Sequence, residues 1–121
     1  MNKYKNKKIW AYNRWWDSRF ECDYYYFLVL KEKAREISNL RTQVPFTLIN
    51  KSKYGTEIKY IADFVYEKNG ELVVVDTKGV LTPVYKLKSR LFAERYGFKI
   101  KEVRANEKWE IWYWHTPPYM L

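Results

Sequence analysis

Apolar positions recur every three to four residues in two stretches of the chain and every second residue in several others, and these two periods predict its elements. After Asp17 or Ser18, either of which can cap a helix, Phe20, Tyr24, Phe27, Leu28 and Ala34 fall on one helical face as far as about Glu36. Thr42 to Asn50 reads as a strand interrupted by Pro45, and a residue without an N–H suits a sheet edge or a strand start. Ile58 to Glu67 and Glu71 to Lys78 are β-rich runs on either side of Asn69-Gly70, the strongest short-range signal for a hairpin. Thr82 and Pro83 open a second helix, which carries Leu87, Leu91, Phe92 and Tyr96 up to a stop at Gly97. Phe98 to Arg104 and Trp109 to Trp114 predict two more strands, and the tail from His115 contains Pro117-Pro118. Residues 1–16 follow neither period and predict a basic, aromatic, partly ordered arm. The order α-β-β-β-α-β, with a further strand and tail in residues 105–121, describes a single mixed α/β domain over 1–121, its helices packed on a central sheet.

Composition narrows what this domain meets. At 47% hydrophobic and 20% aromatic residues the chain has ample material for a core, so its charges decorate a packed body. Those charges are unbalanced: 23 basic against 14 acidic residues give +9, a field that attracts polyanions, with nucleic acid the leading partner. No apolar run approaches the ~20 residues that span a bilayer. Residues 1–10 are rich in Lys and Asn and lack the apolar stretch of a secretory signal, so a cytoplasmic protein without a membrane partner is expected. One cysteine, Cys22, and one histidine, His115, supply neither a disulfide nor a Cys/His zinc set, and any metal must be held by oxygen.

The hairpin carries the chemistry. A two-residue loop at Asn69-Gly70 pairs residues whose numbers sum to 139, which sets Lys68 opposite Glu71, Val65 opposite Val74, and Asp63 opposite Asp76. Strand alternation then puts Ile61, Asp63 and Val65 on one face with Val74, Asp76 and Lys78, and turns Phe64, Val73 and Val75 to the other. Cross-strand neighbours have Cβ atoms about 4.5–5.5 Å apart, where like charges destabilise a sheet. A divalent cation relieves that conflict; so does Lys78, or a proton shared between the carboxylates. The apolar run Val73-Val74-Val75 suits a central strand, which delivers Asp76 and Lys78 to its end.

Asp63, then Asp76-x-Lys78, with Glu21 on the preceding helix, resembles the PD-(D/E)xK nuclease superfamily. Within it the chain is similar to small phage-type endonucleases and Holliday-junction resolvases through Ser18-x-x-Glu21, Ile61-Ala62-Asp63-Phe64-Val65-Tyr66 and Val75-Asp76-Thr77-Lys78-Gly79, over roughly residues 3–104. Ala62 stands where the superfamily's name puts proline, and Asp76 where many members carry glutamate. The resemblance implies a restriction-endonuclease-like core and a Mg²⁺-dependent endonuclease, with Mn²⁺ able to substitute and no small-molecule cofactor. It implies Asp63, Asp76, the Thr77 carbonyl and Glu21 as metal ligands, Lys78 as the group that positions and deprotonates water, branched DNA as substrate and a homodimer as the working form. Glu21 has a second reading, because Ser18-Arg19-Phe20-Glu21 also fits a capping box in which its carboxylate bonds back to the helix start.

Phosphate contacts are expected from Lys3, Lys5, Lys7 and Lys8 on the arm and from Lys86 and Arg90, four apart on one face of the second helix, with Lys88 elsewhere. Gln43, on an early strand, can support the site by hydrogen bonding, but solvation is the commoner use of a polar strand residue and it is kept outside the catalytic set. The six tryptophans gather at the two ends of the chain, where packing is their expected use and base stacking the other. A same-fold nuclease for duplex or single-stranded DNA, and a non-catalytic basic DNA-binding module, are the alternative functions.

Overall fold

The computed structural model describes residues 8–78, the side chain of Lys78 excepted, and residues 81–104. The elements are β1 (Ile9–Ala11), β2 (Arg14–Trp16), α1 (Arg19–Lys33), β3 (Ser38–Ile49), β4 (Ile58–Lys68), β5 (Glu71–Lys78), α2 (Pro83–Tyr96) and β6 (Lys101–Arg104). From α1 onward this is the predicted α-β-β-β-α-β order, in a mixed sheet of order β3-β4-β5-β6 whose first two pairings are antiparallel and whose last is parallel. The predicted strand from Trp109 to Trp114 and the tail lie outside the described residues, as do Lys3, Lys5 and Lys7.

Local chemistry explains the boundaries. Ser18 accepts the Glu21 N–H at the start of α1, and Thr82 accepts the Tyr85 N–H at the start of α2, with Pro83 in the first turn. Gly97 closes α2 in the left-handed region at φ 82°, its N–H on the Ala93 carbonyl, a conformation that glycine adopts without steric cost. Asn69 and Gly70 both have positive φ, 53° and 80°, as a type I′ hairpin turn requires. β3 is an edge strand, which is where Pro45 is tolerated.

Residues 9–16 depart from the expected arm. They form a second hairpin, β1-β2, turned by Tyr12 and Asn13 at φ 54° and 63°. Its inner face buries Ala11 and Trp16, and the Trp16 indole N–H donates to the Ala11 carbonyl at 2.9 Å. The strands hold three residues each, too few for a period to show. Smaller departures are a β3 that starts at Ser38 rather than Thr42, an α1 that ends at Lys33 rather than near Glu36, and a β6 that starts at Lys101 rather than Phe98.

The core has two halves, one on each face of the sheet. Trp16, Tyr24, Phe27 and Leu28 pack with Phe64, Tyr66 and Val75 on the α1 face, while Tyr85 and Phe92 pack with Tyr60, Ala62, Val65 and Val74 on the α2 face. In a regular strand residues two apart share a face. Here Tyr60 and Ala62 belong to one half and Phe64 and Tyr66 to the other, so β4 changes faces at Asp63. β3 changes at the same level, between Leu40 on the α1 face and Val44 and Phe46 on the α2 face. The register brackets that step with Thr42–Phe64 and Val44–Ala62, leaving Gln43 opposite Asp63, and Gln43 has φ 52°. A residue in the left-handed region inside a strand rotates the chain locally, and its neighbour follows.

Candidate functional site

The half-turn at Gln43 and Asp63 is what assembles the acidic residues. The predicted register holds where the ladder runs: Lys68–Glu71, Glu67–Leu72, Tyr66–Val73, Val65–Val74 and Phe64–Val75 all sum to 139. One step further, Asp63 leaves the alternation. The expectation that it shares a face with Ile61 and Val65 is corrected, because Ile61 is exposed, Val65 is buried on the α2 face and Asp63 is half-buried between the two core halves. Hydrogen-bonded pairs alternate along an antiparallel ladder, and counting from the turn the next would join Ala62 to Thr77. There the Thr77 N–H donates instead to Asp63 Oδ2 at 2.8 Å, and the Thr77 hydroxyl donates to the same oxygen at 2.8 Å. The Asp63 carboxylate thus takes the place of a strand carbonyl and fixes where β4 and β5 separate.

Glu21 reaches this carboxylate from α1. Ser18 caps its N–H at 3.1 Å, but the Glu21 side chain does not close the capping box; Oε1 accepts from Gln43 Nε2 at 3.1 Å, and the carboxyl lies within hydrogen-bonding reach of Asp63. It is 6% exposed. Burial first, then the negative charges of Asp63 and Asp17, push its pKa up to about 7, with Arg14 opposing. The raised pKa makes Glu21 easier to protonate near neutral pH, which eases its like-charge conflict with Asp63 across helix and strand.

Asp76 lies on the other side. It is 3% exposed, follows Val74 on the α2 face and is paired in parallel register with Glu102. Its Oδ2 accepts the Tyr60 hydroxyl at 2.5 Å. Tyr60 is held well above its ordinary pKa by burial and then by the charge of Asp76, with a smaller contribution from Asp63, so it remains a donor throughout the physiological range. Asp63 accordingly stands between Glu21 on one side and the Tyr60–Asp76 pair on the other. Lys78 ends β5 two residues beyond Asp76; its side chain lies outside the described residues.

The donor set suits a hard cation without enclosing one. Among the described residues no three Asp, Glu, His or Cys side chains are gathered tightly enough to hold a metal ion. What is gathered is a pair, Glu21 and Asp63, with Asp76 drawn back by Tyr60. Mg²⁺ commonly takes one or two carboxylates and completes its shell with water and substrate phosphate, so a pair of carboxylates suits it without a closed cage.

Sequence reasoning missed three members of this site. Gln43, for which solvation outweighs a supporting hydrogen bond on sequence grounds, is the group that holds Glu21. Tyr60 looked like any strand aromatic and orients Asp76. Arg14 is carried in by the unforeseen hairpin: its guanidinium lies 3.7 Å over the Trp16 ring, donates to Thr42 Oγ1 at 3.0 Å, and tempers the charge at Glu21. The first two had no local signal, because both depend on the face change. The predicted phosphate contacts stand apart from the acids: Lys8 is exposed before β1, while Lys86 and Arg90 are exposed on one stripe of α2. Cys22 is buried in α1, its thiol pushed up to about 12 chiefly by burial, which leaves it unreactive. No helix among the described residues is long and apolar enough to cross a membrane.

No curated protein and no solved structure matches the chain. A family model does match, over residues 1–110, and it places this chain in DUF1064, a family described as a protein of unknown function.

Proposed function

We propose that the protein is a Mg²⁺-dependent DNA endonuclease with a restriction-endonuclease-like core, acting on branched DNA in the cytoplasm as a homodimer. The observation that carries this is the convergence on Asp63 of acids from α1 and β5, at the point where β4 and β5 separate. The folded chain keeps Asp76 and Glu21 almost wholly out of water beside other carboxylates, a costly arrangement that makes chemical sense where a cation and a phosphate neutralise it. The resemblance to PD-(D/E)xK nucleases, the order α-β-β-β-α-β and the +9 charge agree with it.

Each residue has a part. Glu21, Asp63 and Asp76, with the Thr77 carbonyl, would hold the ion, Mg²⁺ or in its place Mn²⁺. The ion supplies Lewis-acid chemistry, neutralising charge that grows on the phosphate oxygens and acidifying water. Asp63 is fixed by two donors of Thr77 and Glu21 by Gln43, so these two carboxylates are held before any ligand arrives, while Asp76 would have to turn from Tyr60 to join the ion. Lys78 positions the attacking water and takes its proton. Arg14, clamped between Trp16 and Thr42, keeps positive charge beside Glu21 for the scissile phosphate.

The test compares wild type with Asp76→Asn on four-way, nicked, linear and single-stranded DNA, in Mg²⁺ or Mn²⁺ and in EDTA. Wild type is expected to cut the four-way substrate with either ion and nothing in EDTA, and the variant to lose more than about a hundredfold in rate. DNA binding with no cleavage under any condition would make the protein a non-catalytic module. Preference for linear duplex would remove only the junction part of the proposal.

A further inference from the structure

α2 and β6 form an open cleft of about 510 Å³ on the β6 side of Asp76, lined among others by Lys86, Ser89, Arg90, Lys99 and Glu102. Three of these side chains come from one stripe of the helix, since Lys86, Ser89 and Arg90 are spaced at i, i+3 and i+4, and Lys99 faces them from the approach to β6. The acid of the cleft is already engaged: Glu102 Oε2 accepts the Tyr85 hydroxyl at 3.0 Å and Oε1 lies 3.8 Å from the Arg104 guanidinium. Among the described residues neither Lys86 nor Lys99 is in an ion pair. Arg90 meets Glu94 at 3.4 Å, but both side chains are largely exposed, and such a pair is readily exchanged for a stronger anion.

Three cations on one concave wall suit a phosphate, and the cleft's place in the sheet says which phosphate. Glu102 is the parallel partner of Asp76, so the cleft is one strand away from the acids. We propose that this cleft binds the backbone phosphates of the DNA strand next to the one being cut, through Lys86, Lys99 and Arg90. The cleft takes its partner, DNA, from the nuclease proposal and adds the path of the strand across the protein: from the acidic pair, past Asp76, into the groove between α2 and β6.

Binding is measured in EDTA, where no cleavage interferes, as the anisotropy of a labelled duplex titrated over a range of salt. Each phosphate neutralised contributes roughly 0.9 to the slope of log K against log salt. The double variant Lys86→Ala/Lys99→Ala is expected to bind on the order of tenfold more weakly and to flatten the slope by roughly 2, while Lys86→Arg/Lys99→Arg keeps the wild-type slope. A control, Lys33→Ala/Lys68→Ala, removes two exposed cations outside the cleft and is expected to leave the slope unchanged. An unchanged slope in the cleft variant, an equal loss in the control, or no DNA binding by wild type overturns the cleft. Wild type that binds with this pattern yet cuts nothing in Mg²⁺ overturns the nuclease and leaves the cleft standing.

Discussion

Glu21 shows how far one side chain departs from what its neighbours suggest. Ser18 and Glu21 have the spacing of a capping box, and half of that box forms, yet the Glu21 carboxylate turns inward to Gln43 and Asp63. The turn has a consequence for pH. Glu21 ionises near 4.5 in an unfolded chain and near 7 in the folded one, so between those values the folded state binds more protons and stability falls as pH rises. Asp23, raised to about 6 by burial against the opposing charge of Arg19, adds a fall of the same sign over part of that window. Chemical denaturation of wild type is therefore expected to show higher stability at pH 5 than at pH 8, with a steepest slope of up to about 1.4 kcal/mol per pH unit from each group. Glu21→Gln should flatten the slope and be more stable than wild type at pH 8; an unchanged profile would mean that Glu21 is not held as described.

The face change in β3 and β4 is the element on which the site depends. Without it Asp63 would lie wholly on one face, out of reach of either α1 or Tyr60; with it Asp63 borders both core halves. Its backbone cost falls on Gln43, whose φ of 52° is a conformation worth about 1–2 kcal/mol of strain in a residue with a side chain. Gln43→Gly removes the strain together with the amide that holds Glu21. Stability is expected to change by less than about 1 kcal/mol, measured in urea, while affinity for Mn²⁺ falls roughly tenfold. A large loss of stability with affinity intact would reverse the roles given to backbone and side chain.

This is also where the sequence stopped being legible. Periodicity, caps and the Asn69-Gly70 turn located α2 and β5 to the residue and gave the hairpin register, because those signals are local. Nothing local marks a strand that changes faces. Simple alternation therefore puts Asp63 and Val65 together and gives Gln43 no fixed place in the site. The first hairpin escaped for a related reason: Tyr12-Asn13 makes the same kind of turn as Asn69-Gly70 with residues that seldom announce one, and Tyr12 is held by rings of α1, Tyr25 at 5.2 Å and Tyr26 at 6.4 Å.

At the scale of the whole molecule, a chain of net charge +9 gathers its buried acids around Asp63, with Arg14 beside Glu21 and with Lys86, Arg90 and Lys99 in a separate cleft between α2 and β6. Such a distribution draws in a polyanion and offers it a cation at the point of contact. Catalysis on that plan requires the acids to bind a divalent ion, and Glu21 must lose its proton to do so. Calorimetric titration with Mn²⁺ at pH 6.5, repeated in buffers of different ionisation enthalpy, tests this directly. Wild type is expected to bind Mn²⁺ with release of part of a proton, Glu21→Gln to bind more weakly without that release, and Asp63→Asn and Asp76→Asn to bind at least about tenfold more weakly. No binding by wild type at millimolar Mn²⁺, or equal binding by the aspartate variants, would contradict the account.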